Sequence, residues 1–196
     1  MSQPDPSRIS GARARQIASL IGSISLTFVL LIAASVDLQA QEAEEHQLKA
    51  AYLYNFAKFI RWPAPQPSSA PPQLHICLMG APTIAESLRE QTRGKTLESH
   101  AIVIHELSTP AETESCQILF LGVSGRKAQG FLQYSQKLPI VTVGEDEQFI
   151  GHGGMIRFYL QDAKLRFAIN MDAASRARVT ISSALLGVAQ IVREKP

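Results

Sequence analysis

The residues Ile118–Leu121 (Ile-Leu-Phe-Leu) form a short run that is apolar at every position. A strand of this kind has no polar face to turn toward water, so both of its faces must be covered. Strands buried on both faces are typical of parallel sheets, which carry helices on their two surfaces. We therefore expect Ile118–Leu121 to be a central strand of an α/β fold.

Further apolar strands and amphipathic helices alternate on either side of this run. Strands are predicted at 74–79, 101–105 and 139–143, and helices at 83–91 and 124–136. The last third predicts two strands, 155–160 and 165–169, around the turn Asp162-Ala163, then a short helix capped by Asn170 or Asp172, and a final helix over about 183–193. The sequence thus predicts a Rossmann-like, mostly parallel sheet flanked by helices, with a C-terminal β-hairpin and a terminal helix.

The first forty residues have the layout of a secretory signal peptide. Arg8, Arg13 and Arg15 precede a stretch without charge at 17–34, and the small Ala40 precedes a plausible cleavage site. An uncleaved membrane anchor is the alternative, because the apolar stretch approaches the length of a spanning helix. Serine and threonine residues dilute that stretch and favour cleavage. We predict a signal peptide at 1–40 and a single exported α/β domain at 41–196.

Predicted export bears on the state of the cysteines, because exported proteins can form disulfides. The chain has two cysteines, Cys77 and Cys116, and both lie in the predicted exported part. An even number of cysteines in an oxidising compartment favours one disulfide. The alternative is a pair of buried free thiols in neighbouring strands.

No catalytic set, cofactor loop or metal site is predicted. Gly122-Val123-Ser124-Gly125 follows a predicted strand, but Arg126 stands where a nucleophile elbow needs its second glycine, so Ser124 is expected to cap a helix. The glycine spacing of a dinucleotide or Walker loop is absent. The five histidines form no pair at helical i, i+4 spacing and there is no Cys-x-x-Cys, which argues against zinc.

Two further segments have simple structural explanations. The glycines of 151–154 are expected to allow a close backbone approach, and the acidic run 145–147 to form a solvated turn. The net charge is +2 with scattered Lys and Arg, so we expect no nucleic-acid partner.

The helix predicted at 42–60 has apolar residues at three- and four-residue steps, which indicate its buried face. This stripe consists of Leu48, Tyr52, Phe56 and Phe59, with Ala51 and Ile60 beside them. Tyr54 and Trp62 fall off the stripe and are expected to be exposed. Together with Lys58 and Arg61 at the same end of the helix, they form the predicted partner-binding surface.

Three stretches of the chain resemble the YfiR family. The segment 49–63 (KAAYLYNFAKFIRWP) resembles the opening signature of that family, and 116–122 (CQILFLG) resembles its central strand and cysteine. The segments 153–158, 166–170 and 181–186 match its C-terminal third in order and spacing.

This resemblance implies a periplasmic, Rossmann-like protein without a nucleotide-binding loop and without enzymatic activity. It implies a homodimer that binds the periplasmic part of an inner-membrane diguanylate cyclase and holds it inactive, so that release raises cyclic di-GMP and favours biofilm growth. Redox responses through disulfides are also implied. Cys77 and Cys116 match one such pair, whereas the position of a second pair, within 145–152, has no cysteine here.

Two other functions remain open at this point. One is a periplasmic sensor that binds a small molecule in the crevice at the carboxyl ends of the strands, where α/β sheets place their ligands. The other is a hydrolase that would act through Ser124 and His152.

Overall fold

The computed structural model describes residues 41–63 and 73–194. The chain divides into two units, Met1–Glu44 and Glu45–Pro196, and the described residues of the first unit, 41–44, are helical. The predicted signal peptide lies outside the described residues. Among those that are described, no helix combines the length and the apolar character needed to cross a membrane.

The second unit alternates strands and helices along the chain. Helix α1 comprises residues 41–59, of which 45–59 belong to this unit. The remaining elements, in chain order, are β1 Ile60–Arg61, β2 Gln73–Met79, α2 Pro82–Thr92, β3 Thr96–Leu97, β4 His100–Glu106, a 3-10 helix Pro110–Ser115, β5 Ile118–Leu121, α3 Gly125–Ser135, β6 Val141–Gly144, β7 Ile156–Gln161, β8 Lys164–Asn170, α4 Met171–Arg176, β9 Thr180–Ile181, α5 Ser183–Leu186 and β10 Gln190–Val192.

Eight strands form one sheet in the order β10-β8-β7-β6-β5-β2-β4-β3. The neighbours from β4 to β7 are parallel, while β3 and β8 pair antiparallel with β4 and β7. All four residues of β5 are buried, as their apolar run requires. The mostly parallel α/β fold predicted from the sequence is confirmed.

The C-terminal hairpin is confirmed, but the predicted terminal helix is wrong. Strands β7 and β8 pair around Asp162 and Ala163, which both have positive φ angles, as tight hairpin turns require. Helix α5 is a single turn, and the chain then forms β10, which pairs parallel with β8 at the edge of the sheet. Ile191 and Val192 are β-branched and favour a strand, which the periodicity of so short an apolar run could not reveal.

The buried face of α1 is also rotated from the predicted stripe. Leu48 and Phe59 are 43% and 39% exposed, whereas the residues against the sheet are Ala50, Leu53, Phe56, Ala57 and Ile60. Phe56 and Ile60 belong to both sets, and the half-buried Tyr52 of the predicted stripe packs against Phe56. The Phe56 ring lies 5.8 Å from the Phe158 ring of β7, measured between ring centres. The two alanines, having little side chain, let the helix lie close to the sheet.

The disulfide joins two neighbouring parallel strands. Cys77 lies in β2 and Cys116 lies two residues before β5, with a Cα–Cα distance of 5.9 Å, and both residues are buried. The structure thus contains the bond that the even cysteine count favoured, rather than two free thiols. The bond closes a loop that includes α2, β3 and β4.

We expect Cys77→Ala and Cys116→Ala to lower the free energy of unfolding equally, by about 4 kcal/mol, because each removes the same cross-link of 39 residues. The double variant should lose no more than either single variant. Urea unfolding of the oxidised protein and the three variants measures this. A loss in one single variant clearly larger than in the other would show that packing at that site outweighs the cross-link.

Asn170 joins three segments near the end of the chain. It is fully buried, and its side-chain oxygen accepts hydrogen bonds from Asp172 N and Ala173 N, which makes it the N-cap of α4. Its amide nitrogen donates to Gly154 O and, at 2.9 Å, to Glu194 Oε1. Both guanidinium nitrogens of Arg176 also donate to Glu194. Asn170 therefore fixes the chain end that follows β10.

Replacement of Asn170 by Ala should cost about 2–4 kcal/mol of stability, because it removes a helix cap and two buried hydrogen bonds. Hydrogen exchange of the Gln190–Val192 amides should accelerate more than that of β5. Asp172→Ala is the control, because it removes the hydrogen bond from Glu194 N at the exposed end of the same network. It should lower the free energy of unfolding by less than about 1 kcal/mol. Unchanged exchange in β10 would contradict the proposed role of Asn170.

Candidate functional site

The carboxyl ends of the parallel strands are where sheets of this kind usually bind ligands, at the point where the strand order reverses. Here that point lies between β2 and β5, which Gly80 and Gly122 follow. A Cβ atom on Gly122 would lie 2.7 Å from the Gly80 carbonyl oxygen, and one on Gly80 would overlap the Val123 side chain. The two backbones therefore close the switch point by direct contact.

The neighbouring strand end is closed by an aromatic ring. Phe149 is buried, and a Cβ atom on either Gly144 or Gly154 would overlap its side chain. Gly154 N donates to the Phe149 carbonyl at 2.9 Å. The glycine-rich segment 151–154 thus serves a close backbone approach, as the sequence predicted, and fills the end of β6.

A buried ammonium group lies beside these loops. Lys49 of α1 is 5% exposed, and its Nζ is 2.6 Å from Glu45 and 2.7 Å from Glu145. Burial alone would lower the pKa of Lys49, but the hydrogen bonds to Glu145 and Glu45 outweigh it, so the pKa is raised above 10.5. The predicted solvated turn at 145–147 agrees with the exposure of Glu145, but the sequence did not predict its ion pair with Lys49, which lies far away in sequence.

The space left at these strand ends is small. A cavity of about 180 Å³ remains, lined by Lys49, Glu145 and the start of α2 among others. This is below the usual 300–1,000 Å³ of small-molecule pockets. The charge of Lys49 is already neutralised by two carboxylates, so the cavity offers little attraction to an anion.

Ser124 and His152 do not form a catalytic pair among the described residues. Ser124 precedes α3 but makes no side-chain cap hydrogen bond, so the predicted capping role is wrong. The turn instead relies on Gly125, whose φ of +63° suits a glycine. His152 is engaged elsewhere, with its Nε2 atom 3.3 Å from Gln129 Nε2.

The structure brings together three of the four residues predicted to bind a partner. Tyr54 is half-buried rather than exposed as predicted, because it packs against the core. The Lys58 ammonium lies 4.1 Å from the centre of its ring, a cation–π contact. Arg61 forms an ion pair with Glu98 at 2.7 Å and donates to the Lys58 carbonyl. We call these three residues, together with the exposed Phe59 that is adjacent to Lys58 in sequence, the α1-end surface.

Trp62, the fourth predicted residue, turns away from the α1-end surface and is half-buried rather than exposed. Its indole Nε1 donates to the Gln117 carbonyl at 3.1 Å, and the same oxygen accepts the Val141 N–H. Trp62 thus lines a groove of about 640 Å³ at the amino ends of β2, β5 and β6. We call this the Trp62 groove; its walls include Trp62, Leu74, Leu97, Cys116, Gln117 and Arg178.

Sequence reasoning missed Gln117 and Arg178, which line the same groove. Arg178 has a φ of +55° just after α4, a position that glycine usually occupies at a helix end. A left-handed backbone conformation at a residue other than glycine is strained, so Arg178 at this position destabilises the backbone. A left-handed residue gives no local sequence signal unless it is Gly or Asn.

Two histidines on the neighbouring strands β2 and β4 form a pair on one face of the sheet. His75 Nδ1 of β2 and His105 Nε2 of β4 are 2.8 Å apart, and the rings are nearly parallel. Burial, with the neighbouring His105, lowers the pKa of His75 below 6.5. Within the described part of the chain, no group of three or more His, Cys, Asp or Glu could hold a metal. A search at helical spacing cannot detect such a cross-strand pair.

Lys49→Met should lower the free energy of unfolding at pH 7 by about 1–2 kcal/mol, since Glu45 and Glu145 lose their buried partner but can be rehydrated. The raised pKa means that this contribution is present below pH 10.5 and disappears as the pH rises through the folded-state pKa. The difference between wild type and variant should therefore shrink at high pH.

Urea unfolding at pH 7 and above pH 10.5 measures both effects. Lys58→Met is the matched control, because Lys58 lies in the same helix but is only half-buried and makes no ion pair among the described residues. Its effect should stay within about 0.5 kcal/mol. Equal losses in the two variants would mean that the ion pairs of Lys49 contribute nothing specific.

The comparison with known protein families gives one match over most of the chain. The model of the YfiR/HmsC-like family matches residues 46–190. No curated protein sequence matches the chain. Among solved structures, a conserved domain protein from Vibrio cholerae O1 biovar El Tor strain N16961 is similar, with 12% identity and a TM-score of 0.45. The match covers 61% of this chain and 54% of that one, so the chain spans about half the length of that protein.

Proposed function

The chain belongs to the YfiR/HmsC-like family, and on that premise we propose that it is a periplasmic, non-enzymatic regulator of cyclic di-GMP signalling. In this proposal residues 1–40 direct export and are removed, and the domain at 41–196 acts as a homodimer. It binds the periplasmic part of an inner-membrane diguanylate cyclase and represses it. The family match over 46–190 is the observation that carries the proposal.

The closed strand ends support binding through a protein surface. Contact between Gly80 and Gly122, the Phe149 ring and the Lys49 ion pairs leave only a cavity of about 180 Å³ in the usual ligand crevice of this fold. A regulator without a cofactor must act through differential contacts with its partner. Repression therefore requires tighter binding to the inactive than to the active cyclase, typically by about 1–3 kcal/mol.

We place the contact with the cyclase at the α1-end surface. Phe59, which is 39% exposed, is close in sequence to the cations Lys58 and Arg61. Aromatic and arginine side chains are the residues that most often carry binding energy in protein interfaces. The matching surface of the partner should be apolar at its centre and acidic at its rim.

The proposal predicts that loss of this protein raises cellular cyclic di-GMP, because the cyclase is no longer held inactive. Deletion of the gene in the source organism, followed by extraction and quantification of the dinucleotide, measures the effect. Expression of the wild-type chain should restore the low level. An unchanged concentration after deletion would refute repression of a cyclase.

The α1-end surface is tested by a double variant in the same strain. Lys58→Glu with Phe59→Ala should fail to restore the low concentration, although the exported protein remains folded and disulfide-bonded. The control, Leu160→Ala with Lys164→Glu, makes the same kinds of change at a more exposed apolar and basic pair on the C-terminal hairpin. It should complement like wild type. If both double variants complement, the cyclase binds elsewhere on this protein.

A second candidate function, a small-molecule sensor, is favoured by the Trp62 groove. Its volume of about 640 Å³ lies within the usual range of ligand pockets, and it lies at the amino rather than the carboxyl ends of the strands. Trp62 is the only tryptophan, so its fluorescence reports directly on this groove. A compound that raises the melting temperature and shifts this emission, without any cyclase present, would support the sensor.

A further inference from the structure

We propose that His75 and His105 form a binding site for a divalent late first-row transition-metal ion, with Cu²⁺ bound most tightly. The ligands are His75 Nδ1 and His105 Nε2, and water molecules complete the coordination. The sequence analysis predicted no metal site because it considered spacing along helices, whereas this pair forms between two strands. The proposal concerns a face of the sheet that the proposed cyclase contact does not use.

The separation of the two nitrogens suits a shared metal ion. They lie 2.8 Å apart. Two metal–nitrogen bonds of about 2.0–2.1 Å at a right angle, as in tetragonal Cu²⁺ sites, place their nitrogens about 2.9 Å apart. The ligand atoms therefore need to change their separation very little. A rotation of the two rings that lets their lone pairs converge is the movement required.

The backbone beneath the rings is firmly held. The parallel strands β2 and β4 pair His75 with Val103 and Cys77 with His105, so the two imidazoles rise from adjacent positions on one face. The His75 backbone is bound on its other side to Gln117, through His75 N to Gln117 Oε1 at 2.7 Å and Gln117 N to His75 O at 2.9 Å. A site on paired strands is more precisely positioned than one on loops.

The protonation of the pair also permits metal binding. In the metal-free pair, one of the two facing nitrogens carries the hydrogen of an N–H···N bond. Within the described residues, His75 Nε2 and His105 Nδ1 have no hydrogen-bond partner. Each imidazole can therefore carry its hydrogen on that outer nitrogen, which leaves both facing nitrogens as ligands. Metal binding releases no net proton from the neutral pair.

The surroundings select the class of metal. Both histidines are only partly buried, so water can reach the open coordination positions. The neighbouring cysteines are joined in the disulfide and offer no thiolate. Two neutral imidazoles favour Cu²⁺, Ni²⁺ and Zn²⁺ over Mg²⁺ and Ca²⁺, and Cu²⁺ is the strongest binder of this series.

The test uses the untagged, disulfide-intact protein without bound metal. It is titrated with Cu²⁺ in a weakly coordinating buffer at pH 7.5, with calorimetry for affinity and electron paramagnetic resonance for the number of nitrogen ligands. We expect one ion per chain, a two-nitrogen spectrum, and an affinity at least about tenfold weaker in His75→Gln and in His105→Gln, because chelation by two imidazoles is lost. His100→Gln, in the same strand β4, is the matched control and should bind like wild type.

Two results would overturn the proposal. One is equal Cu²⁺ affinity in wild type, His75→Gln and His105→Gln. The other is an equal loss in His100→Gln, which would indicate nonspecific binding to exposed imidazoles. If either glutamine variant fails to fold, the wild-type protein still decides the question by NMR. Substoichiometric Cu²⁺ should broaden the ring signals of His75 and His105 before those of His46, His100 and His152, and uniform broadening would refute the site.

Discussion

The complete burial of β5 is the constraint on which the rest of this structure depends. Because Ile118–Leu121 exposes neither face nor edge, it must have a strand on each side and helices above and below. Both of its ends are then fixed. Cys116 is bonded to β2 at the start, and Gly122 packs against the Gly80 backbone at the finish. The disulfide and the glycine contact together hold β2 and β5 in register over their whole shared length.

The two ends of the sheet differ in structure. At the carboxyl ends, the Phe149 ring and the buried Lys49 occupy the place where related folds bind cofactors. At the amino ends, the described residues form the Trp62 groove, whose lining includes Cys116 of the disulfide. Folds of this kind often bind nucleotides in the crevice at the carboxyl ends of the strands. Here the chain's own side chains lie at that crevice. This agrees with our proposal that the protein acts through the surface at the end of α1.

Much of this fold could be predicted from the sequence, because burial and hairpin chemistry leave local signals. The apolar run of β5, the Asp162-Ala163 turn and the Asn170 cap are examples. The failures share a different cause. Packing between distant segments determines the rotated face of α1, the strand β10 and the Lys49–Glu145 pair. Local periodicity in the sequence does not report on such contacts. Of the candidate site, the structure brings Tyr54, Lys58 and Arg61 together, but Trp62 turns away, because its partner Gln117 lies 55 residues away, just before β5.

The bond between Trp62 and Gln117 links the two regions in which we expect function. Trp62 directly follows Arg61 of the α1-end surface, and the Gln117 carbonyl that accepts its indole N–H belongs to the residue after Cys116. The side chain of Gln117 also holds the His75 backbone, and so the strand that carries the proposed metal site. A partner that moves the end of α1 must therefore either break the indole hydrogen bond or move the start of β5. Because β5 is buried and cross-linked, breaking the indole bond costs less, and the end of α1 can adjust to a partner while the sheet stays fixed.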